Sequence, residues 1–268
     1  MEAIRYKIYP SLLDKFQAFL DSEQEAESFF NVDSEGNLKR TADEIADQRE
    51  KELIDSINRV EHEPSEAADK GTCFNEVIDC LLENRGSKRE DVVIKSIRSE
   101  GTPSFIGAQM DGFTFGFDTD FCLSVASDLA GATAQQLVEA VMTTKYGPVL
   151  LYGYADYIKL DKVIDLKTTS STYNFGKFEK YWQKDVYPWC LQASGLMQPA
   201  MFQFYCVQFN KSQPLLGKVF KEDYTYVHAE AEQRIRRIVE HFIEWLENHR
   251  DLITDKKVFG GEKEAPKV

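Results

Sequence analysis

At 268 residues, 43% of them apolar, the chain is long enough for one sizeable core, and it has no uncharged apolar run of about 18 residues that would cross a membrane. The start, MEAIRYKIYP, lacks the apolar centre of a secretory leader, so a soluble, cytoplasmic protein is expected. A net charge of −13 speaks against broad, charge-driven binding to nucleic acid, but 16 acidic and 5 basic side chains fall within residues 21–69, a local −11 that leaves the remainder close to neutral.

Pro10 and Ser11 open a helical pattern in which Leu12, Leu13, Phe16, Phe19 and Leu20 share one face. NVDSEGNLKR is a turn-rich link. Thr41 followed by Glu44 has the spacing of a capping box and begins a second amphipathic helix through Ile45, Leu53, Ile54 and Ile57 to about Val60. The polar stretch EHEPSEAADKG leads to a helix after Gly71 that carries Phe74, Val77, Ile78 and Leu81. Short strands follow, VVIKSI and, after a glycine-containing break, FTFGFDTDF, whose alternation puts Asp118 and Asp120 on the polar face of a strand. A helix is expected at about Ala134 to Thr143, strands at 148–158 and 162–168, a helix from about Phe178 to Ser194, and a strand at 202–209. Residues 222–253 read as one long terminal helix, and the last residues as a frayed tail. The expected division is an acidic helical segment at 1–69, a core at 70–255 and a flexible tail at 256–268. Strands interspersed with helices predict an α/β fold, a mixed central sheet flanked by helices, with an N-terminal helical extension.

Residues 150–169, LLYGYADYIKLDKVIDLKTT, hold the most informative pattern. Strand alternation points Asp165 and Lys167 to one face while Ile164 and Leu166 pack the other way, and Asp156 stands on the preceding strand. Carboxylates and a lysine on a half-buried face are costly unless paired, and a divalent cation with oxygen ligands is one such partner. An exposed Asp165–Lys167 ion pair is the plainer alternative. On the helix after Gly71, Asn75 and Glu76 offer an amide oxygen and a carboxylate, or form an ordinary solvent-facing pair. Gln183 and Tyr187 lie at i and i+4, flanked by Lys180 and Lys184; Tyr187 also reads as a packing aromatic beside Pro188 and Trp189.

In that order, these segments resemble the PD-(D/E)xK nuclease superfamily, and within it the RecB-like exonuclease branch. The signature G-x-x-D, turn, hydrophobic-D-x-K-T stands here as Gly153 to Asp156 and Ile164 to Thr169. The helix motif G-T-x-x-H stands as Gly71 to Asn75, with Asn75 in place of histidine, and Q-x-x-x-Y as Gln183 to Tyr187. The likeness covers about residues 70–210. It implies a restriction-endonuclease-like core and Mg²⁺- or Mn²⁺-dependent hydrolysis of DNA in replication, recombination or repair, in a bacterium or a phage-infected host. An endonuclease or RNase on the same scaffold, and a decayed nucleic-acid-binding module, are the alternatives.

The resemblance also implies roles. Asp156 and Asp165 hold the metal together with the Leu166 carbonyl, and Lys167 orients the attacking water or stabilises charge on the phosphate. Gln183, or the competing Gln192, approaches the substrate with Tyr187 beside it, and Lys180 and Lys184 contact DNA. Because Asn75 replaces the histidine, Glu76 is the expected helix-borne ligand, with Asn75 next to it. Some members carry an iron–sulfur cluster on late cysteines; none is expected here, since no cysteine follows Cys206.

Overall fold

The computed structural model describes residues 3–28, 31–61, 63–97, 104–209 and 215–260. In chain order the first elements are β1 (Tyr6–Ile8), α1 (Pro10–Leu20), α2 (Ser22–Ala26), α3 (Ala42–Ile57) and α4 (Glu66–Glu83). A three-stranded sheet follows, β2 (Val93–Ile97), β3 (Phe105–Met110) and β4 (Phe113–Asp118), and then α5 (Thr119–Asp128). The remainder is β5 (Thr133–Thr144), β6 (Gly147–Lys159), β7 (Lys162–Thr169), α6 (Gln183–Ala193), β8 (Met201–Phe209), β9 (Gly217–Thr225), α7 (His228–Asn248) and a 3-10 turn at Lys256–Val258.

The helix starts follow from local chemistry. Pro10 occupies the first turn of α1, where its missing N–H leaves no gap in the helical ladder. At α3 the expected capping box forms: Thr41 Oγ1 accepts from the Glu44 N–H at 3.2 Å and Glu44 Oε2 accepts from the Thr41 N–H at 2.8 Å. α4 begins at Glu66, ahead of Gly71, because Glu66 and Asp69 fall in its first turn, where negative charge suits the helix dipole.

The main sheet runs β1-β6-β7-β8-β9, with β5 on the other edge of β6. β1 and β7–β8 pair in parallel, while β5–β6, β6–β7 and β8–β9 are antiparallel, so the sheet is mixed. Alternation along β8 divides the interior in two. Phe202, Phe204 and Cys206 enter one core with α1, α3, α6 and α7, whereas Tyr205, Val207 and Phe209 enter a second with α4, α5 and the small sheet. Helices thus flank the central sheet on both faces. Among the described residues no helix is long and apolar enough to cross a membrane.

Several expectations are corrected by tertiary pairing. The helix expected at Ala134 to Thr143 is strand β5, paired with β6 from Thr133↔Ile158 to Thr144↔Gly147. Its Ala, Gln, Leu and Glu favour a helix in isolation, but Val138, Ala140, Met142 and Thr144 bury alternately against the core, and the partner strand overrides propensity. The start of the supposed terminal helix, residues 222–225, is the end of β9, held by Phe202↔Tyr224 and Phe204↔Glu222. The strand ends at Asp118, which also caps α5 by accepting from the Phe121 N–H at 2.8 Å, so Asp120 lies in the first turn of that helix and not on a strand. α6 begins at Gln183, because residues 178–182 form turns and Asp14 takes the Trp182 N–H.

The ends of the chain are tied down as well. Leu12, Leu13, Phe16 and Leu53 of the acidic N-terminal segment share the core of α7 and β6 and so do not stand apart from it. Of the expected tail, residues 256–260 are ordered: Val258 and Phe259 are buried, and the Phe259 ring packs 6.3 Å from that of Tyr6. Residues 261–268 lie outside the described part. Replacing Phe259 with alanine should therefore destabilise the fold by about 3 kcal/mol, the loss expected for a buried phenylalanine. Urea unfolding of Phe259→Ala against the parent reads this directly, and an unchanged midpoint would mean a free tail.

Candidate active site

The site is built on a fork in the main sheet. On one edge β6 pairs with β1 at Val149–Leu151 and with β7 at Tyr157–Lys159, and residues 152–156 between them have no strand partner there. β7 meanwhile stays paired with β8 along its whole length, so from Asp165 onward its other edge is open. Asp156 closes this gap with its side chain: Oδ2 accepts from the Leu166 N–H at 2.8 Å. In an extended strand the N–H and C=O of one residue leave on the same edge, so the Leu166 carbonyl also faces the fork.

The strand itself is distorted at this point. The β5–β6 ladder passes from Ala134↔Tyr157 to Gln136↔Ala155 and omits Gln135 and Asp156. Gln135 has a φ of 50°, a left-handed conformation that a non-glycine residue adopts at a cost of about 1–3 kcal/mol. Across the break the buried face switches, with Ala155 in the core of α6 and α7 and Tyr157 in the core of α4. The switch turns the Asp156 side chain into the fork.

α4 lies over one side of the fork. Gly71 makes the close approach: a Cβ there would meet Thr168 Oγ1 of β7 at 2.7 Å. One and two turns along, Asn75 and Asp79 line a cleft of about 300 Å³ that opens on Asp156 and also includes Gln135 and Glu76. Asn75 Oδ1 is buried there without a hydrogen-bond partner. Asp79 accepts from the Tyr157 hydroxyl at 2.7 Å, and burial pushes its pKa up to about 6. Glu76 is committed elsewhere, since its Oε1 accepts from Arg85 at 2.6 Å and from the Lys88 N–H at 2.8 Å. Burial raises and the Arg85 pair lowers its pKa, with a net shift below the usual carboxylate range.

α6 and α1 cover the other side. Asp165 is buried, and its Oδ2 lies 2.7 Å from Lys167 Nζ with no other polar partner. Lys167 also donates to Gln183 Oε1 at 3.0 Å. Burial works against the ammonium charge, but Asp165 and then Asp156 outweigh it and hold the Lys167 pKa above its ordinary value. Asp156 moves the opposite way: burial, then the Asp165 charge, lift it well above the carboxylate range. Gln192 is nine residues beyond Gln183, about 13 Å along the helix, so Gln183 is the glutamine at the lysine. Tyr187 packs on Gly153, where a Cβ would meet its ring at 2.7 Å, which accounts for the glycine three residues before Asp156.

The two flanking lysines already face acids. Lys180 pairs with Asp21 at 2.6 Å on the surface, whereas Lys184 sits 2.9 Å from buried Asp185, which Arg234 also binds at 2.6 Å. Sequence reasoning passed over Asp79, Gln135 and Asp14. Asp79 had a signal, its i+4 spacing from Asn75. Gln135 had none once its strand was read as a helix. Asp14 sits among the apolar residues of α1, where it accepts from the Trp182 N–H at 2.7 Å.

Among the described residues no three acidic, histidine or cysteine side chains converge as a ready-made metal cluster. Asp156 accepts from the Leu166 N–H and interacts electrostatically with Asp165, and Asn75, with its unpartnered Oδ1, lines the same cleft as Asp156. A buried Asp156 carboxylate whose proton affinity is raised by burial and by the neighbouring Asp165 charge, beside an orphaned amide oxygen, fits a hard divalent cation.

No family model and no curated protein matches the chain. The crystal structure of SSO0001 aligns with 46% of this chain and 56% of its own at 17% identity and a TM-score of 0.33. A Eubacterium rectale protein provisionally assigned as an exonuclease aligns over 70% of this chain and 71% of its own at 13% identity and a TM-score of 0.37. Likenesses this loose carry no argument, and the chemistry of the site stands on its own residues.

Asp14 supplies a pH test. Burial raises its pKa from 3.8 to about 6, above the value in the unfolded chain. The folded chain therefore binds more protons between those values, and stability is fully present below about pH 4 and lost as pH rises through about 6. Asp14→Asn should remove this slope and gain about 2 kcal/mol over the parent at pH 7 but little at pH 4, allowing for the partial exposure of the carboxylate. Urea titrations in EDTA at the two pH values measure it.

Proposed function

We propose that the chain is a divalent-metal-dependent deoxyribonuclease of the exonuclease kind, acting in replication, recombination or repair. The observation that carries this reading is the fork, where buried Asp156 and Asp165 stand with Lys167 beside the cleft that Asn75 lines with its unpartnered Oδ1. The ordered motifs from Gly71 to Tyr187 support it independently.

Asp156, Asp165, the Leu166 carbonyl and Asn75 Oδ1 would hold Mg²⁺ or Mn²⁺, an all-oxygen set suited to hard cations. When bound, the cation polarises the scissile phosphate and lowers the pKa of water. Lys167 keeps its charge despite burial and would neutralise charge developing on a phosphate oxygen. Gln183 engages Lys167 through Oε1 and meets the Tyr187 hydroxyl, and its remaining amide N–H would donate to phosphate or to the attacking water. Hydrolysis then joins the water oxygen to phosphorus while the ester oxygen leaves and takes up a proton. On the rim, the Asp21–Lys180 pair is exposed and worth little, so a DNA phosphate can take Lys180 over at small cost; Lys184 is bound to the buried Asp185.

A second reading, a nucleic-acid-binding module with a decayed site, draws on the lack of three convergent acids among the described residues. Hydrolysis and metal binding separate the two. Asp165→Ala and Lys167→Ala should each reduce cleavage of end-labelled linear DNA about a hundredfold or more. Calorimetric Mn²⁺ binding should be weakened by Asp165→Ala and retained by Lys167→Ala. EDTA should stop cleavage, and closed circular DNA should resist it. Near-parental cleavage by either variant would remove the assignment.

A further inference from the structure

A second cleft, of about 380 Å³, adjoins the site on the β6 side and is walled by aromatic rings: Tyr9, Tyr152, Tyr154 and Tyr187, with Gly153 between them and Arg59 at one end. Tyr187 belongs to both places, since it touches Gly153 here and pairs with Gln183 beside Lys167. Tyr9 and Tyr152 brace each other edge to face, with centroids 5.8 Å apart. Tyr154 is different. It is 58% exposed, an unusual position for a large ring on a central strand.

Tyr152 and Tyr154 are two residues apart along β6, about 6.7 Å, and Asp156 follows them at the break in the strand. This step is comparable to the phosphate spacing of an extended single strand of nucleic acid. Two rings on the residues that lead up to Asp156 would offer faces to successive bases of a strand that enters the fork. The charge distribution favours the same ligand. The cations near the fork are matched by acids, Arg85 by Glu76, Lys88 by Glu83 and Lys184 by Asp185, so phosphate neutralisation alone cannot hold a substrate there. Stacking on aromatic faces supplies affinity without net positive charge. Arg59, its side chain 46% exposed and 3.3 Å from Asp255, is placed at the end of the row where a phosphate would pass.

We infer that this tyrosine cleft binds unpaired bases of single-stranded DNA and delivers that strand to Asp156, with Tyr154 as the exposed stacking ring. The inference rests on the nuclease reading and names its substrate as a single strand. Duplex DNA keeps its bases stacked on one another and offers nothing to Tyr154.

The experiment uses the full chain in EDTA, so that no strand is cut, and follows fluorescence anisotropy of labelled oligothymidylate and of a duplex of equal length. Tyr154→Ala should weaken oligothymidylate binding about tenfold, the scale of one lost stacking partner. Tyr154→Phe should restore it, and duplex affinity should be the same in all three proteins. The salt dependence of binding should also be unchanged, because no ionic contact is removed. Equal oligothymidylate affinity in Tyr154→Ala and the parent, or an equal loss on duplex, overturns the inference while Asp165-dependent cleavage leaves the nuclease reading in place. A parent that neither cleaves DNA with Mn²⁺ nor binds either oligonucleotide overturns the nuclease reading itself.

Discussion

The hydrogen bond from the Leu166 N–H to Asp156 Oδ2 holds the site together, because it replaces the backbone ladder that β6 and β7 abandon after Tyr157↔Ile164. A sheet interior cannot leave a backbone donor unpaired without losing about 1–3 kcal/mol. The bond therefore lets the strands diverge and at the same time fixes Asp156 beside Asp165. Its electrostatic consequence is unfavourable, since two carboxylates are enclosed together and the Asp165 charge, added to burial, favours protonation of Asp156. Lys167 offsets one charge, and a bound cation would offset the second. The same arrangement that disfavours two negative charges favours a positive charge beside them.

Each side of the fork is set by a close approach that only glycine permits. Gly71 brings α4 against Thr168, and Gly153 admits the Tyr187 ring against β6. A methyl group at either place would lie 2.7 Å from its neighbour, so the Thr168 side chain or the Tyr187 ring would have to give way by several tenths of an ångström. The left-handed Gln135 is the third local concession. Its backbone strain accompanies the change of facing that aims Asp156 sideways, which neither a regular strand nor a simple alternation of side chains would do.

The acidity of the chain is consistent with this architecture. Many of its carboxylates act within the molecule: Glu25 receives Arg40 and Arg49, Asp185 receives Lys184 and Arg234, and Glu76 receives Arg85. Cations engaged in this way do not form a broad basic surface, so on the proposed nuclease reading recognition would fall to a short cleft and to rings rather than to long-range attraction. The −13 net charge and a nucleic-acid substrate are compatible on these terms.

Local signals in the sequence determined the capped helices, the apolar face of α1, the strands that carry Asp156 and Asp165, and the common face of Asp165 and Lys167. Each depends on residues within one or two turns or along one strand, where spacing and geometry are equivalent. The pairing of Lys167 with Gln183 was foreshadowed by the motif order, yet only the folded chain brings α6 over β7. Tertiary structure alone decided that residues 134–143 form a strand, that 222–225 belong to β9 and that Phe259 returns to the core, because a partner strand or a buried pocket outweighs local propensity in each case. It alone also separated the surroundings of Asn75 and Glu76. Adjacent on a helix, they point about 100° apart, and only the fold shows that Glu76 is engaged by Arg85, nine residues further along the chain, while Asn75 Oδ1 has no partner.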